Sequence, residues 1–232
     1  MNTVHKLQVS LFLRLFFIVV IIFFVPNFAI AATHQPGDVI ICRGQSAVYY
    51  YGSDNKKYPF PSEDIYATWY ARADGKADFS RLIELERAAC SVIPVGKRVT
   101  AKPGTALLKW RSSPRIYAVD MVGANGKPIL HHVSTETIAI ALYGSLWNRG
   151  YWSNPVGVLR WLPDVQLTDY EIGAALTGAE QYSPASVRQA ADIEAVLGIS
   201  APPAPTPPPS GGSVGITDPY RAVARSSFPL PA

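Results

Sequence analysis

A segment beginning at Pro36, PGDVIICRGQSAVYYYGSDNKKYPFPSEDIYATWY, is answered by a second beginning at Pro103, PGTALLKWRSSPRIYAVDMVGANGKPILHHVSTETIAIALYG. Pro36-Gly37 matches Pro103-Gly104, the apolar run Val39–Ile41 matches Ala106–Leu108, and Val48-Tyr49 matches Ile116-Tyr117. A Gly- and Asn-bearing turn follows in each, ending in Lys57 or Lys127. Ser62-Glu63-Asp64-Ile65 then stands against Ser134-Thr135-Glu136-Thr137-Ile138, and the pairs Val95-Gly96 and Ile172-Gly173 close the two segments. Matches in the same order at nearly constant spacing are the signature of tandem units. They constrain the fold strongly, because whatever residues 36–102 build, residues 103–176 build again.

Within the first copy, residues 38–42, 47–51 and 56–60 read as strands: β-branched and aromatic side chains bounded by Gly, Ser, Asp and Asn. YGSDNKKY is a hairpin turn. PSEDIYATWYARA starts with a serine cap and acidic first-turn residues, which predicts a short helix over 63–72. STETIAIALYGSLW predicts its counterpart over 135–142, and FSRLIELERAAC fits helix or strand equally. The unit is three short antiparallel strands, a short helix, an irregular loop and a return strand. The fold class is therefore α+β and β-rich, in two tandem copies.

Both ends differ in character from this middle. Lys6 and Arg14 precede an unbroken apolar run from Leu15 to Val25, then Pro26 and Ala29-Ile30-Ala31, the order of a secretory signal peptide over residues 1–31 cleaved after Ala31. The run falls short of the ~20 residues a bilayer span needs, so retention as an anchor is the lesser alternative. SPASVRQAADIEAVLGIS reads as a capped C-terminal helix within 183–199. Ser183 caps it, Pro184 takes its first position, and Gly198 provides the left-handed stop, which predicts a helix over 184–197. Val187, Ala190, Ala191 and Leu197 give it an apolar side. APPAPTPPPSGG then opens a Pro-rich tail over 201–232 that lacks the apolar content for a core, with Tyr220 and Phe228 as anchors if it docks as a peptide.

Removing residues 1–31 leaves about 200, enough for one ordinary domain or two small ones. The formal net charge of +4 includes Lys6 and Arg14, and the remaining charges are scattered. Nucleic acid is thereby disfavoured, since its binding needs clustered cations. Export would place Cys42 and Cys90 where thiols oxidise, which favours a disulfide worth roughly 4 kcal/mol over two buried thiols. Neither cysteine has a His or Cys at ligand spacing, and nothing calls for a metal or cofactor.

Ala47-Val48-Tyr49-Tyr50, Gly52-Ser53-Asp54, Lys56 to Pro61 and Ile93-Pro94-Val95-Gly96 make up a pattern, AVYY-x-GSD-x-K-x-Y-x-FP followed by IP-x-G. It resembles a tandem repeat of secreted and cell-surface bacterial proteins that has no established activity. The resemblance covers residues 36–176 and implies secretion and repeat architecture. Cys42 and Cys90 depart from it, as does VGANGKPILHHV in the second copy.

The aromatic residues are the main candidates for chemistry. Tyr49 and Tyr117 occupy the same place in both copies, which argues for packing. Tyr50, Tyr51, Tyr58 and Trp69 lack aromatic counterparts, and if exposed they would stack on the sugar faces of a glycan. Trp110, Trp147, Trp152 and Trp161 crowd the second copy, where large rings supply core area. His131 and His132 would point to opposite faces of a strand and so would not share a metal. Ser53 to Lys56 match Ser-x-x-Lys, but in a turn rather than on the helix that chemistry requires. Glu63, Asp64, Glu84, Glu86, Asp164, Asp169 and Glu171 fall at caps or surfaces. The expected function is a secreted, non-catalytic envelope or extracellular module that binds a polysaccharide or an envelope protein. The alternatives are a hydrolase of envelope polysaccharide or peptide, and a structural component that docks through its tail.

Overall fold

The computed structural model describes residues 33–199; the segment read as a signal peptide and the Pro-rich tail lie outside the described residues. Strands β1 (Val39–Cys42), β2 (Val48–Tyr51), β3 (Lys57–Pro59) and β4 (Leu82–Leu85) form one sheet in the order β3-β2-β1-β4. Strands β5 (Leu107–Trp110), β6 (Ile116–Val122), β7 (Pro128–His132), β8 (Leu159–Leu162) and β9 (Glu171–Ile172) form a second in the order β8-β5-β6-β7-β9.

The two sheets share one wiring. β1 runs antiparallel to β2 and parallel to β4, and β5 runs antiparallel to β6 and parallel to β8. Each hairpin turns on a residue in the left-handed region, Asn55 at φ 60° and Gly126 at φ 70°. Each half then returns alongside its third strand, where the Gly96 amide donates to the Lys57 carbonyl and the Gly173 amide to that of Leu130, both at 2.9 Å.

The registers correct the sequence alignment by single residues. Val39 begins the parallel ladder with Leu82 as Leu107 does with Leu159, so Val39 corresponds to Leu107 rather than Ala106. The amides of Gly37 and Gly104 bond Tyr51 and Val119, and Thr105 is the extra residue between glycine and strand in the second half. Likewise Gly52 bonds Lys56 as Gly123 bonds Lys127, so Lys127 answers Lys56 and not Lys57.

Helix α1 (Glu63–Trp69) follows the first hairpin, and the ambiguous FSRLIELERAAC resolves into β4 and then α2 (Arg87–Ser91). Helix α3 (Glu136–Tyr143) follows the second hairpin. The Thr135 side chain accepts from the Ile138 amide, whereas Ser62 holds the cap position of α1 without a side-chain cap bond. The expected C-terminal helix is two helices, α4 (Pro184–Ala190) and α5 (Ile193–Leu197). Ala191 is extended, and the Asp192 carboxylate accepts from the Ala195 amide, so a second cap interrupts the run. Gly198 ends α5 in the left-handed conformation.

Each sheet is covered on both faces. On the first, Val39, Tyr50, Phe60 and Tyr66 pack with Ile193 and Leu197 of α5, while Ile40, Tyr51 and Leu85 pack around Cys42 and Cys90 on the opposite face. On the second, Leu107, Ala118 and Leu159 meet Ile138 and Ala139 of α3, and Leu108, Trp110, Val119 and Leu162 receive Ile65 from α1. Cys42 and Cys90 are disulfide-bonded, with Cα atoms 5.7 Å apart. At the register position of Cys42 the second sheet carries Trp110, which packs edge-on against Tyr170 at 6.1 Å, so an aromatic contact stands where the first sheet has a covalent one. No helix among the described residues is long and apolar enough to cross a membrane.

Candidate functional site

The expected tyrosine platform is not a surface. Tyr50, Tyr51 and Tyr58 are buried, at 4%, 8% and 5% exposure, and Trp69 is half-buried. The reading failed because it left a face of β2 to solvent, whereas α5 covers Tyr50 and Tyr58 on one side and the cluster around the disulfide covers Tyr51 on the other. The Glu194 carboxylate accepts from the Tyr50 hydroxyl at 3.1 Å, the Ser53 amide at 2.8 Å and the Ser53 hydroxyl at 2.9 Å. Tyr58 donates to Asp54 at 2.7 Å and Tyr51 to Asn55 at 2.9 Å, so both rings brace the hairpin turn. Trp69 donates from Nε1 to the Thr100 carbonyl at 2.8 Å. Burial is the main force raising the Tyr50 and Tyr58 hydroxyls above the usual phenol range, reinforced by Glu194 and Asp54 respectively. Tyr49, expected in the core, is the half-exposed member of the run, whereas Tyr117 is buried.

An aromatic surface does exist, beside that run. Pro61, Ser62 and Glu63 at the entry to α1, with Ser46, Val48, Phe60 and Phe79, line an open groove of about 350 Å³. Phe79 stacks on Tyr66 with ring centroids 5.1 Å apart and planes within 11°, and keeps 44% of its surface in solvent. Tyr66 is itself fixed, because its hydroxyl donates to the Asp78 carbonyl at 2.6 Å; burial raises its pKa to about 12. The Asp78 side chain also accepts from the Ser80 amide, capping the short turn that carries Phe79. Phe79 is thus held from beneath and from behind.

The polar wall of the groove is equally fixed. Tyr151 donates to Glu63 Oε1 at 2.9 Å while accepting from the Ala77 amide at 3.0 Å. The second half of the chain thereby reaches across to orient a carboxylate of the first. The guanidinium of Arg160 lies over the Tyr151 ring at 5.0 Å, and Trp152, 70% exposed, packs edge-on against it at 5.2 Å. Sequence reasoning did not single out Phe79. The available signal was a lone large aromatic in a polar stretch, DGKADFSR, just after an Asp able to cap a turn.

A second concavity, about 280 Å³, lies where Lys97 and Arg98 meet the second hairpin at Asn125, Gly126 and Lys127. Its cations already have partners. Arg98 makes two bonds to Asp169 at 2.8 and 2.9 Å, and Lys127 and Lys97 donate to the carbonyls of Thr168 and Gly126. Burial lowers the Lys97 pKa, and Lys127 adds to the effect against the pull of Asp169.

The remaining candidates separate. Trp110 is in the core and Trp147 packs in part against the cluster of Leu107 and Ile138 on the other face of the sheet, but Trp152 and Trp161 are exposed. His131 is held between the Ala174 carbonyl and Asp120, while burial lowers the pKa of His132. Among the described residues no three His, Cys, Asp or Glu side chains gather as a metal site. Ser53 is held by Glu194 and is not positioned by Lys56. Compared with known proteins, the chain matches no family model, no curated protein and no solved structure.

Proposed function

We propose that the chain is a secreted, non-catalytic module that binds a polysaccharide in the groove at Phe79. The observation that carries this reading is a half-exposed phenyl ring clamped flat on a buried tyrosine, with an oriented carboxylate in the same groove. A flat apolar ring is complementary to the C–H face of a pyranose, and Glu63 with Ser46 and Ser62 would take its hydroxyls. The ring is fixed in advance, so little rotamer freedom is lost on binding.

The hydrolase alternative needs two carboxylates flanking the scissile bond. Glu63 is the one carboxylate among the described residues lining the groove, which favours binding over turnover. The apolar run at 15–25, the expected cleavage after Ala31 and a disulfide suited to an oxidising compartment support an extracellular or periplasmic site of action. The shared sheet wiring supports descent of the two halves from one duplicated unit.

The test is retention of the mature chain on insoluble cell-wall polysaccharide. Wild type is expected to be retained without releasing sugar, and Phe79→Ala to elute in the void. Sugar release that vanishes in Glu63→Gln, or undiminished retention of Phe79→Ala, would overturn the proposal.

A further inference from the structure

The two hairpin turns answer one another residue for residue but not charge for charge. Gly52 and Lys56 of the first stand against Gly123 and Lys127 of the second, which sets Ser53 against Ala124 and Asp54 against Asn125. In the first turn the Lys56 ammonium pairs with Asp54 at 2.9 Å, and the Glu194 carboxylate holds Ser53. The second turn has neither contact. Asn125 is neutral, Ala124 offers no hydroxyl, and Lys127 donates to the Thr168 carbonyl at 2.8 Å.

This second turn forms one wall of the 280 Å³ cavity, and the segment after Gly96 supplies further cations to it. Lys97, Arg98 and Lys127 line the cavity, and Asp169 is the one carboxylate among the described residues that does so, which leaves two positive charges uncompensated. Arg98 takes both oxygens of Asp169, whereas Lys97 and Lys127 bond only neutral carbonyls, so each ammonium keeps two further N–H groups to give. Burial lowers the Lys97 pKa and Lys127 pushes it the same way, which places the two ammonium groups within each other's field. The Asn125 carboxamide lines the same cavity. So does Thr100, which is 7% exposed and whose buried hydroxyl has no hydrogen-bond partner among the described residues. An unmatched buried hydroxyl is unfavourable until an acceptor oxygen meets it.

We propose that this cavity is a phosphate-binding site, with Lys97 and Lys127 as the charged contacts and Asn125 as a neutral donor. The counter-ion that the first turn carries within itself as Asp54 is, at the second turn, brought by the ligand. Charge selects the ligand class: two uncompensated cations suit a group of about −1.5 to −2 near neutral pH, which a phosphate monoester carries and a single carboxylate does not. Arg98, fixed by Asp169, shapes the wall and adds to the field. The cavity has room beside the phosphate for the body that bears it. The inference rests on the second hairpin and is independent of the groove at Phe79.

The experiment is titration of the full mature chain with inorganic phosphate, followed by amide chemical shifts at low, constant ionic strength. Saturable binding is expected with a Kd at or below about 1 mM, with shifts concentrated in residues 97–100, 123–128 and 168–169, and acetate at least about tenfold weaker. Asn125→Asp gives the second turn the carboxylate of the first, and is expected to weaken phosphate about tenfold or more without lowering thermal stability; Lys97→Met should weaken it comparably. Glucose 6-phosphate separates the sources of the group. Tighter binding than inorganic phosphate assigns the site to a phosphorylated sugar, and equal or weaker binding assigns it to the free ion. No saturable binding, acetate as tight as phosphate, shifts confined to other segments, or undiminished binding by Asn125→Asp would each overturn the proposal.

Discussion

Replacing Glu194 with alanine tests whether the C-terminal helix is what turns the first tyrosine face inward. The carboxylate collects three hydrogen bonds, two from Ser53 and one from Tyr50, and ties α5 to the first hairpin. Bonds to a charged acceptor contribute about 1.5–3 kcal/mol each when wholly buried. Ser53 is half-exposed and water replaces part of what it loses, so about 1 kcal/mol per bond applies. The total is about 3 kcal/mol, which for a domain of this size lowers Tm by roughly 6–12 °C. Urea denaturation of the mature chain reads the loss directly, and Glu194→Gln, which keeps an acceptor without the charge, should fall between. Glu194 also helps raise the Tyr50 pKa, so the alanine variant should titrate one tyrosine at lower pH in ultraviolet absorbance. A loss below 1 kcal/mol with an unchanged tyrosine titration would refute the reasoning, and the apolar packing of Ile193 and Leu197, rather than Glu194, would then be what holds α5 on Tyr50.

Lys57 is 6% exposed, donates to the Cys90 carbonyl at 2.6 Å, and has its pKa lowered from 10.5 by burial. The unfolded chain therefore holds that proton to higher pH than the folded one, so stability from this group rises with pH through the alkaline window ending at 10.5. The difference between wild type and Lys57→Met, measured from pH 8 upward, should show that rise, and a flat difference would contradict it. Cys42→Ser with Cys90→Ser opens a loop of 48 positions and should cost about 4 kcal/mol in urea denaturation; wild type in reductant should match it. Gly104 has φ 74°, and a Cβ there would meet the backbone of Pro184 and Arg188, so Gly104→Ala should destabilise by about 2 kcal/mol or more in thermal melts and loosen α4.

Local structure was legible where one signal decided it. Alternating apolar residues between turn formers placed β1 to β3 within a residue or so, and the acidic first turn placed α1. Gly198 marked the end of the C-terminal helices. What escaped was whatever depends on a partner distant in sequence. VYYY reads as a half-buried strand with a free aromatic face until α5, more than a hundred residues later, is laid on it. A strand buried on both faces shows an unbroken apolar run for the same reason, which favoured burial at Tyr50 and Tyr51. The break in the last helix was written in Asp192, a second cap inside a run of helix formers, but the Pro184 and Gly198 ends made one helix look sufficient. Phe79 was invisible as a site because its meaning comes from Tyr66 beneath it, and Glu63 because it is aimed by Tyr151 from the other half of the chain.

The disulfide also has a mechanical meaning. Cys42 lies at the end of β1 and Cys90 in α2, so the bond encloses the whole first hairpin, α1 and β4. A chain pulled from its ends could extend the second unit fully, while the first would surrender nothing between its cysteines. At the reach of an extended backbone, 48 positions withhold roughly 160 Å of slack. Under load the two units, alike in wiring, would behave as a short tether in series with a long one.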